Sequence, residues 1–167
     1  LIEDANLDFL DPSIGVNGLG MVAICFTVTG PATFPSAAVT VGYTVNGLGG
    51  LTTIFEPVTV TKAGTSTYVR TSSRNRWGDY SATSVDPSDP TSFWTTQEWA
   101  SPGNTWNTQI TQVTLNDIDL NLNGDGSDND IRVRESAPGV IEISIDGRVT
   151  TLPKSILRTL TIGGGGG

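Results

Sequence analysis

Apolar and polar residues follow one another along this chain in short alternating stretches, without the three- and four-residue spacing of a long helix. Gly or Pro interrupts most windows, and the runs between them are rich in β-branched and aromatic residues, which favour strands. We expect strands at residues 21–28, 37–45, 57–62, 81–85, 93–99, 131–134, 140–145 and 148–152, with a helical turn near residues 154–158. The pattern predicts an all-β protein with antiparallel sheets, arranged as a partial β-propeller or a β-sandwich.

The pentapeptide VNGLG occurs twice, at residues 16–20 and 45–49. Asn-Gly is the preferred centre of a type I′ turn, because both central positions need a positive φ. Two β-hairpins are therefore predicted. They are either copies of a repeated unit or two hairpins that use the same turn independently.

The composition changes near Asn116, where a Trp- and Pro-rich part gives way to the acidic stretch NDIDLNLNGDGSDND. We place a domain boundary at residues 112–116. We expect residues 1–115 to form a propeller-blade-like or sandwich region, and residues 116–167 to form a calcium loop followed by a short β-solenoid-like segment. After the acidic stretch, Ile131 and Val133 alternate with Arg132 and Arg134, which predicts a sheet with one face in water.

The charge balance excludes several classes of partner and site. Lys and Arg number 9 against 17 Asp and Glu, so nucleic acid and anionic lipid surfaces are unfavourable partners. No apolar run approaches the roughly 20 residues that span a bilayer, so no membrane span is predicted. His is absent, which excludes serine-hydrolase triads and ordinary zinc sites. The lone Cys25 lies in the apolar run MVAICFTV and is predicted to be buried.

The acidic stretch carries oxygen ligands at the spacing of a calcium loop. In one register, Gly124 provides the turn and calcium is the cofactor, held by Asp119, Asn121, Asn123, Asp125 and Asp130. A second register runs through Asn121, Asn123 and Asp125 to Gly126. No Glu closes the loop and no helices flank it, so a solvated acidic linker is the alternative.

A second group of residues surrounds the four tryptophans of the chain. An exposed aromatic face with charged neighbours can bind sugars, since CH groups stack on indole and hydroxyls need polar partners. The candidate glycan-binding residues are Arg74, Arg76, Trp77, Trp94, Glu98 and Trp99. In the alternative interpretation, which we favour from the sequence, the tryptophans form the core and Arg76 pairs with Asp79 or stacks on Trp77.

The segments DPSIGVNGLGMVAICFTVTGP and RWGDYSATSVDPSDPTSFWTTQEWA resemble blades of the sialidase-like (BNR-type) β-propellers of secreted bacterial proteins. The resemblance covers residues 11–113 and implies fewer blades than a propeller needs. Sialidases use an arginine cluster, a tyrosine and glutamate pair and an aspartate. Matching residue types occur here at Tyr68, Arg70, Arg74, Arg76, Tyr80 and Glu98, but no catalytic residue is assigned.

The segments DNDIRVR, VIEISIDG and LTIGGGGG resemble the lead-in to the RTX-like calcium-binding β-roll repeats of secreted bacterial proteins. This second resemblance covers residues 119–167. It implies calcium and a location outside the cell or on the bacterial surface. The start at Leu1 and the terminal glycine run lead us to expect a processed product or a fragment.

These observations together predict a non-catalytic structural or adhesive module of a secreted bacterial surface protein, stabilised by calcium. Its expected partners are other copies or other domains of a larger surface protein, and glycans. One alternative is a sialidase-like domain that binds or cleaves glycans, with Arg74 and Arg76 on a carboxylate and Glu98 assisting. Another is a filament subunit whose open sheet edges are completed by neighbouring chains.

Overall fold

A computed structural model describes residues 2–70, 75–79 and 81–163. Strands make up 65% of these residues and helix 2%, which confirms the all-β prediction. The elements are β1 (Asp8–Val16), β2 (Met21–Gly30), β3 (Thr33–Gly47), β4 (Gly50–Phe55), β5 (Thr59–Lys62), β6 (Ala82–Val85), β7 (Ser92–Ser101), β8 (Thr105–Thr114), β9 (Ile118–Asn123), β10 (Ile131–Ala137), β11 (Val140–Ile145), β12 (Arg148–Pro153), a 3₁₀ turn (Lys154–Ile156) and β13 (Leu157–Gly163).

The described strands form three antiparallel sheets and one parallel pair. The largest sheet has the order β1-β2-β3-β4, with β5 also paired to β3, and the others are β6-β7-β8 and β10-β11-β12. Strands β9 and β13 run parallel to each other. Within the described residues no sheet closes into a barrel, and the arrangement is consistent with a β-sandwich-like fold.

The chain divides into two compact units. The first contains residues 1–16, 22–41 and 56–114, and the second contains residues 17–21, 42–55 and 115–167. The long strand β3 contributes residues to both. The described part of the chain contains no helix long and apolar enough to cross a membrane.

Strand β2 carries the core of the first unit on both of its faces. Phe26 and Val28 pack with Ala38 on one face, and the Phe9 ring meets Phe26 edge-on at 5.1 Å. On the other face, the Cys25 Sγ lies 3.6 Å from the carbonyl oxygen of Ala82. Cys25 is 1% exposed, which confirms the prediction that it is buried. The continuous apolar run of this strand is the pattern that burial of both faces requires.

Strand β1 contains a bulge at Asp11. Leu10 pairs with Thr27 but Ser13 pairs with Cys25, so β1 carries one more residue than β2 over this interval. Asp11 lies in the bulge with a φ of 49°, and its carbonyl oxygen accepts a hydrogen bond from Gln97 Nε2 at 3.2 Å. A bulge bends the strand and redirects a side chain, which is why bulges are common beside functional sites.

Both predicted hairpins are present, but the predicted turn centres are wrong. In the first, the Asn17 side-chain oxygen accepts the N–H groups of Leu19 and Met21, so it caps a longer loop. In the second, Gly47 pairs with Gly50, which leaves residues 48 and 49 at the tip. The positive φ values of a type I′ turn occur instead at Asp146 (50°) and Gly147 (79°), between β11 and β12.

The strands of the second unit differ in how they are buried: β9 alternates strictly, whereas β10 is exposed from Arg132 onwards. In β9, Ile118, Leu120 and Leu122 are buried and the residues between them are exposed. In the antiparallel sheet, Ile143, Ile145 and Leu152 are buried. The 3₁₀ turn at Lys154–Ile156 confirms the helical turn predicted near residues 154–158.

Candidate functional site

A groove of about 370 Å³ lies in the first unit, at one end of the β6-β7-β8 sheet. Glu98 of β7 and Trp106 of β8 contribute to it, and the long connection between β5 and β6 supplies the remaining walls. The lining residues are Tyr68, Arg76, Trp77, Gly78, Asp79, Glu98 and Trp106. The described residues of that connection form no strand or helix, and connections of such length are commonly functional.

The turn between β7 and β8 holds the connection beside the sheet. The Asn104 side chain accepts the N–H of Val69 at 2.5 Å and donates to the carbonyl oxygen of the same residue. Asn104 has a φ of 60°, a conformation that Asn tolerates better than most residues. This pair of hydrogen bonds, which we call the Asn104 clamp, fixes the backbone next to Tyr68 and so positions one aromatic wall of the groove.

Aromatic rings form the walls of the groove. Trp77 donates its indole N–H to Thr27 Oγ1 at 3.1 Å, and the Tyr68 ring meets the Trp77 ring at 5.1 Å with an interplanar angle of 70°. Because its polar atom is already bonded, Trp77 offers only apolar ring surface to a ligand. Trp106 also lines the groove and is 50% exposed.

The charged groups of the groove differ in how they are satisfied. Arg76 Nη2 donates to Asp79 Oδ2 at 2.8 Å, which confirms the pairing considered from the sequence. Glu98 Oε2 accepts the backbone N–H of Gly78 at 3.0 Å. Burial raises the pKa of Glu98, and the charges of Asp11 and Asp79 add to the rise, while the Gly78 N–H opposes it.

Gly78 brings Asp11 close to the floor of the groove. Its φ is +64°, and a Cβ at this position would overlap Asp11 Oδ2. The bulge in β1 therefore places a second carboxylate against Gly78, a residue that lines the groove, and close to Glu98. Burial raises the pKa of Asp11, and the charge of Asp79 raises it further. The arrangement offers apolar ring faces together with carboxylate acceptors and one guanidinium donor.

Three of the six predicted glycan-binding residues meet in this groove, namely Arg76, Trp77 and Glu98. Trp94 lies further along β7. Trp99 lies on the other face of that strand, where the Lys62 ammonium stands over its ring at 4.7 Å from the ring centre. Arg74 lies outside the described residues.

The interpretation of the four tryptophans as core is wrong, because none of them is fully buried. Smaller residues such as Met21, Val28 and Phe93 fill the core. These tryptophans all belong to β7, β8 and the connection before β6, and none lies on the buried strands β2 and β3.

Sequence reasoning did not select Tyr68, Asp79, Trp106 or Asp11 as site residues. The Asp-Pro dipeptide at residues 11–12 inside an otherwise regular strand was an available signal, since Pro within a strand marks an edge or a bulge. Tyr68 and Trp106 carry no such local signal. Their meeting depends on the clamp between the connection and the β7–β8 turn.

The structure separates the five predicted calcium ligands into two groups. Asp119, Asn121 and Asn123 lie on the exposed side of β9, where successive same-face residues are about 6.6 Å apart along the strand. Arg158 and Thr159 hold the Asp119 carboxylate, and these hydrogen bonds lower its pKa to about 2.

Asp125 and Asp130 belong to the following loop. There, Asn129 donates to both Asp125 and Asp146, and the Asp130 N–H donates to Asp146 Oδ1 at 2.8 Å. Over residues 2–70, 75–79 and 81–163, no group of three or more Asp, Glu or Cys is arranged to hold a metal ion. Calcium binding stays a prediction, centred on this loop.

Comparison with known proteins gave no matching family model, no matching curated protein and no matching solved structure.

Proposed function

We propose that this chain is a non-catalytic, adhesive module that binds carbohydrate outside the cell, at a bacterial surface. The observation that carries the proposal is the groove in which Trp77 and Trp106 stand beside Arg76, Asp79 and Glu98. Sugar sites need this combination, because a sugar ring has apolar CH groups on its faces and hydroxyls around its edge. The half-exposed Trp106 takes the CH face, and the carboxylates accept hydrogen bonds from the hydroxyls.

Rigid walls support binding of an exposed ligand. The indole of Trp77 is fixed by Thr27, and the backbone beside Tyr68 is clamped by Asn104. A side chain that is already ordered loses little conformational entropy when the ligand arrives. The groove is therefore organised before binding, as in rigid aromatic recognition surfaces.

The salt bridge of Arg76 favours sugar binding over sugar hydrolysis as the function of the groove. A sialidase-like enzyme would need this guanidinium for the substrate carboxylate, but here it is paired with Asp79. The resemblance of residues 11–113 to sialidase-like blades supports carbohydrate as the ligand class. The resemblance of residues 119–167 to the β-roll lead-in supports secretion and calcium as further parts of the proposal.

Isothermal titration calorimetry with neutral and sialylated disaccharides and trisaccharides tests this function. Binding of at least one sugar is expected, and Trp106→Ala should weaken it by an order of magnitude or more, as expected for a central aromatic contact. Trp94→Ala is the matched control, since Trp94 is an exposed tryptophan of the same sheet outside the groove. No binding of any sugar, or equal effects of the two substitutions on a trisaccharide, would contradict the proposal.

A further inference from the structure

The outer face of the β6-β7-β8 sheet continues from the groove. Glu98 pairs with Thr108, and Ala100 pairs with Trp106, so even-numbered residues of β7 and β8 share one face. Besides Glu98, the accessible side chains that β7 and β8 present on this face include Trp94, Thr96, Trp106, Thr108, Ile110 and Gln112. Ile110 is 63% exposed. A single exposed apolar residue is ordinary, but two tryptophans and an isoleucine on one sheet face form a surface.

Trp94, at the far end of this face, is held rigidly in an exposed position. It is 42% exposed, and its indole N–H donates to Asp86 Oδ2 at 2.8 Å. Ser88 donates to the other oxygen of Asp86 from both its N–H and its hydroxyl, which fixes that carboxylate in turn. The ring therefore presents only apolar surface to solvent and loses little entropy on binding.

The two exposed tryptophans are too far apart for one sugar ring. Trp106 stands opposite Ala100, six residues along β7 from Trp94, which corresponds to about 20 Å. Thr96, Ile110, Glu98 and Thr108 lie between them. The two threonine hydroxyls and the Glu98 carboxylate suit ring hydroxyls along the way. We infer that a linear, uncharged polysaccharide chain binds along β8, from the groove at Trp106 to Trp94. This inference rests on the proposed carbohydrate-binding function.

The charge of the site selects an uncharged chain. Among the described residues that line the groove, Arg76 is the one cation, and Asp79 neutralises it. Within the same set Glu98 has no cationic partner, and the Asp11 carboxylate lies against Gly78, whose N–H binds Glu98. An acidic polysaccharide would meet like charge here, on a chain whose net charge is already -8.

The face does not have the composition of a protein-docking surface. Glu98 and Thr108 separate Trp106 from the other apolar residues of the face, whereas the centre of a protein interface is a continuous apolar patch with a polar rim. A second copy of the chain is therefore the weaker occupant, and its binding is an outcome that the test includes.

The test uses a neutral oligosaccharide series, from the disaccharide to the octasaccharide, made of the sugar that the short-sugar screen identifies. Affinity of the full chain should rise about tenfold or more over the series. Trp94→Ala should remove most of that rise while leaving the disaccharide affinity unchanged, and Trp106→Ala should weaken every member. Trp94→Phe is the conservative variant, and it should retain part of the rise through its ring.

The outcomes separate the two proposals. If Trp106→Ala weakens the disaccharide but affinity is the same at every length, the extended face is refuted and the groove stands. If Trp106→Ala has no effect at any length, the groove itself is wrong. Sedimentation of the free protein gives the third outcome: a dimer that Trp94→Ala dissociates would assign this face to self-association and overturn the inference.

Discussion

Substitution of Gly78 by Ala tests the packing beneath the groove. Gly78 has a φ of +64°, where an L residue costs about 1–2 kcal/mol. The added Cβ would also overlap Oδ2 of Asp11 and lie 2.5 Å from Cγ and 2.9 Å from Cβ of the same side chain. Overpacking of this kind typically destabilises a protein by about 1–3 kcal/mol. Together with the backbone contribution, Gly78→Ala should lower the free energy of unfolding by about 2–5 kcal/mol.

Gly103→Ala is the matched control for the backbone contribution. Gly103 has a φ of +80° in the turn after β7, but no described atom lies within 4 Å of the position that its added methyl group would take. This variant should therefore lose only about 1–2 kcal/mol. Both substitutions reduce the entropy of the unfolded chain to the same extent, so that effect cancels in the comparison.

Urea denaturation followed by tryptophan fluorescence measures these differences. All four tryptophans lie within residues 56–114, so the signal follows unfolding of the first unit. Asp11→Gly provides the decisive background, because it removes the three atoms nearest to the new methyl group. In the Asp11→Gly background, Gly78→Ala should lower the free energy of unfolding by no more than Gly103→Ala does. The coupling energy between positions 11 and 78 should therefore be about 1–3 kcal/mol. An equal cost of Gly78→Ala with and without Asp11 would refute this reasoning.

Four further outcomes are expected. Hydrogen bonds from the Ser88 hydroxyl and N–H, with the Trp94 indole, lower the pKa of Asp86 to about 2. The stability that this carboxylate contributes is present above its ordinary pKa of 3.8 and is lost as the pH falls towards 2. Urea denaturation between these pH values should therefore show a fall in the free energy of unfolding, and this fall should be smaller in Asp86→Asn. Cys25 should react with a thiol reagent only after unfolding, and rapid labelling of the native protein would disprove its burial. Calcium at tenfold above its dissociation constant should stabilise the protein by about 1.4 kcal/mol, an effect that Asp125→Ala reduces and Asp119→Asn spares; a chelator without effect would favour the acidic linker. No hydrolysis of a fluorogenic sialoside is expected, and turnover abolished by Arg76→Ala would contradict the non-catalytic proposal.

Local pattern identified most strands but missed those whose identity depends on their neighbours. β2 and β11 were predicted from their own sequences, since apolar runs and strict alternation are local properties. β8 was not predicted, because most residues of TWNTQITQVT are Thr, Asn or Gln and its sequence resembles that of a loop. Its pairing with β7 along its whole length provides the order that its sequence does not indicate.

The acidic stretch shows how alternation can be interpreted in two ways. Asp119, Asn121 and Asn123 fit the alternate positions of a calcium loop, and they fit equally the exposed side of a strand. The buried residues between them, Ile118, Leu120 and Leu122, are the signal for a strand. These residues form a strand because β9 pairs in parallel with β13, some 40 residues later in the chain. The hydrogen bond from Thr159 to Asp119 is one of the contacts between the two strands.

For the site, the sequence by itself determined the residue types: a cluster of tryptophans with Arg76, Asp79 and Glu98, in a chain without His and with one buried Cys. Only the tertiary structure decided which of them meet. Trp77 and Trp106 line one groove because an irregular connection is clamped to a hairpin turn, and Asp11 reaches it because β1 bulges against β2. Composition and local periodicity cannot predict such encounters, since they depend on contacts between residues far apart in the chain.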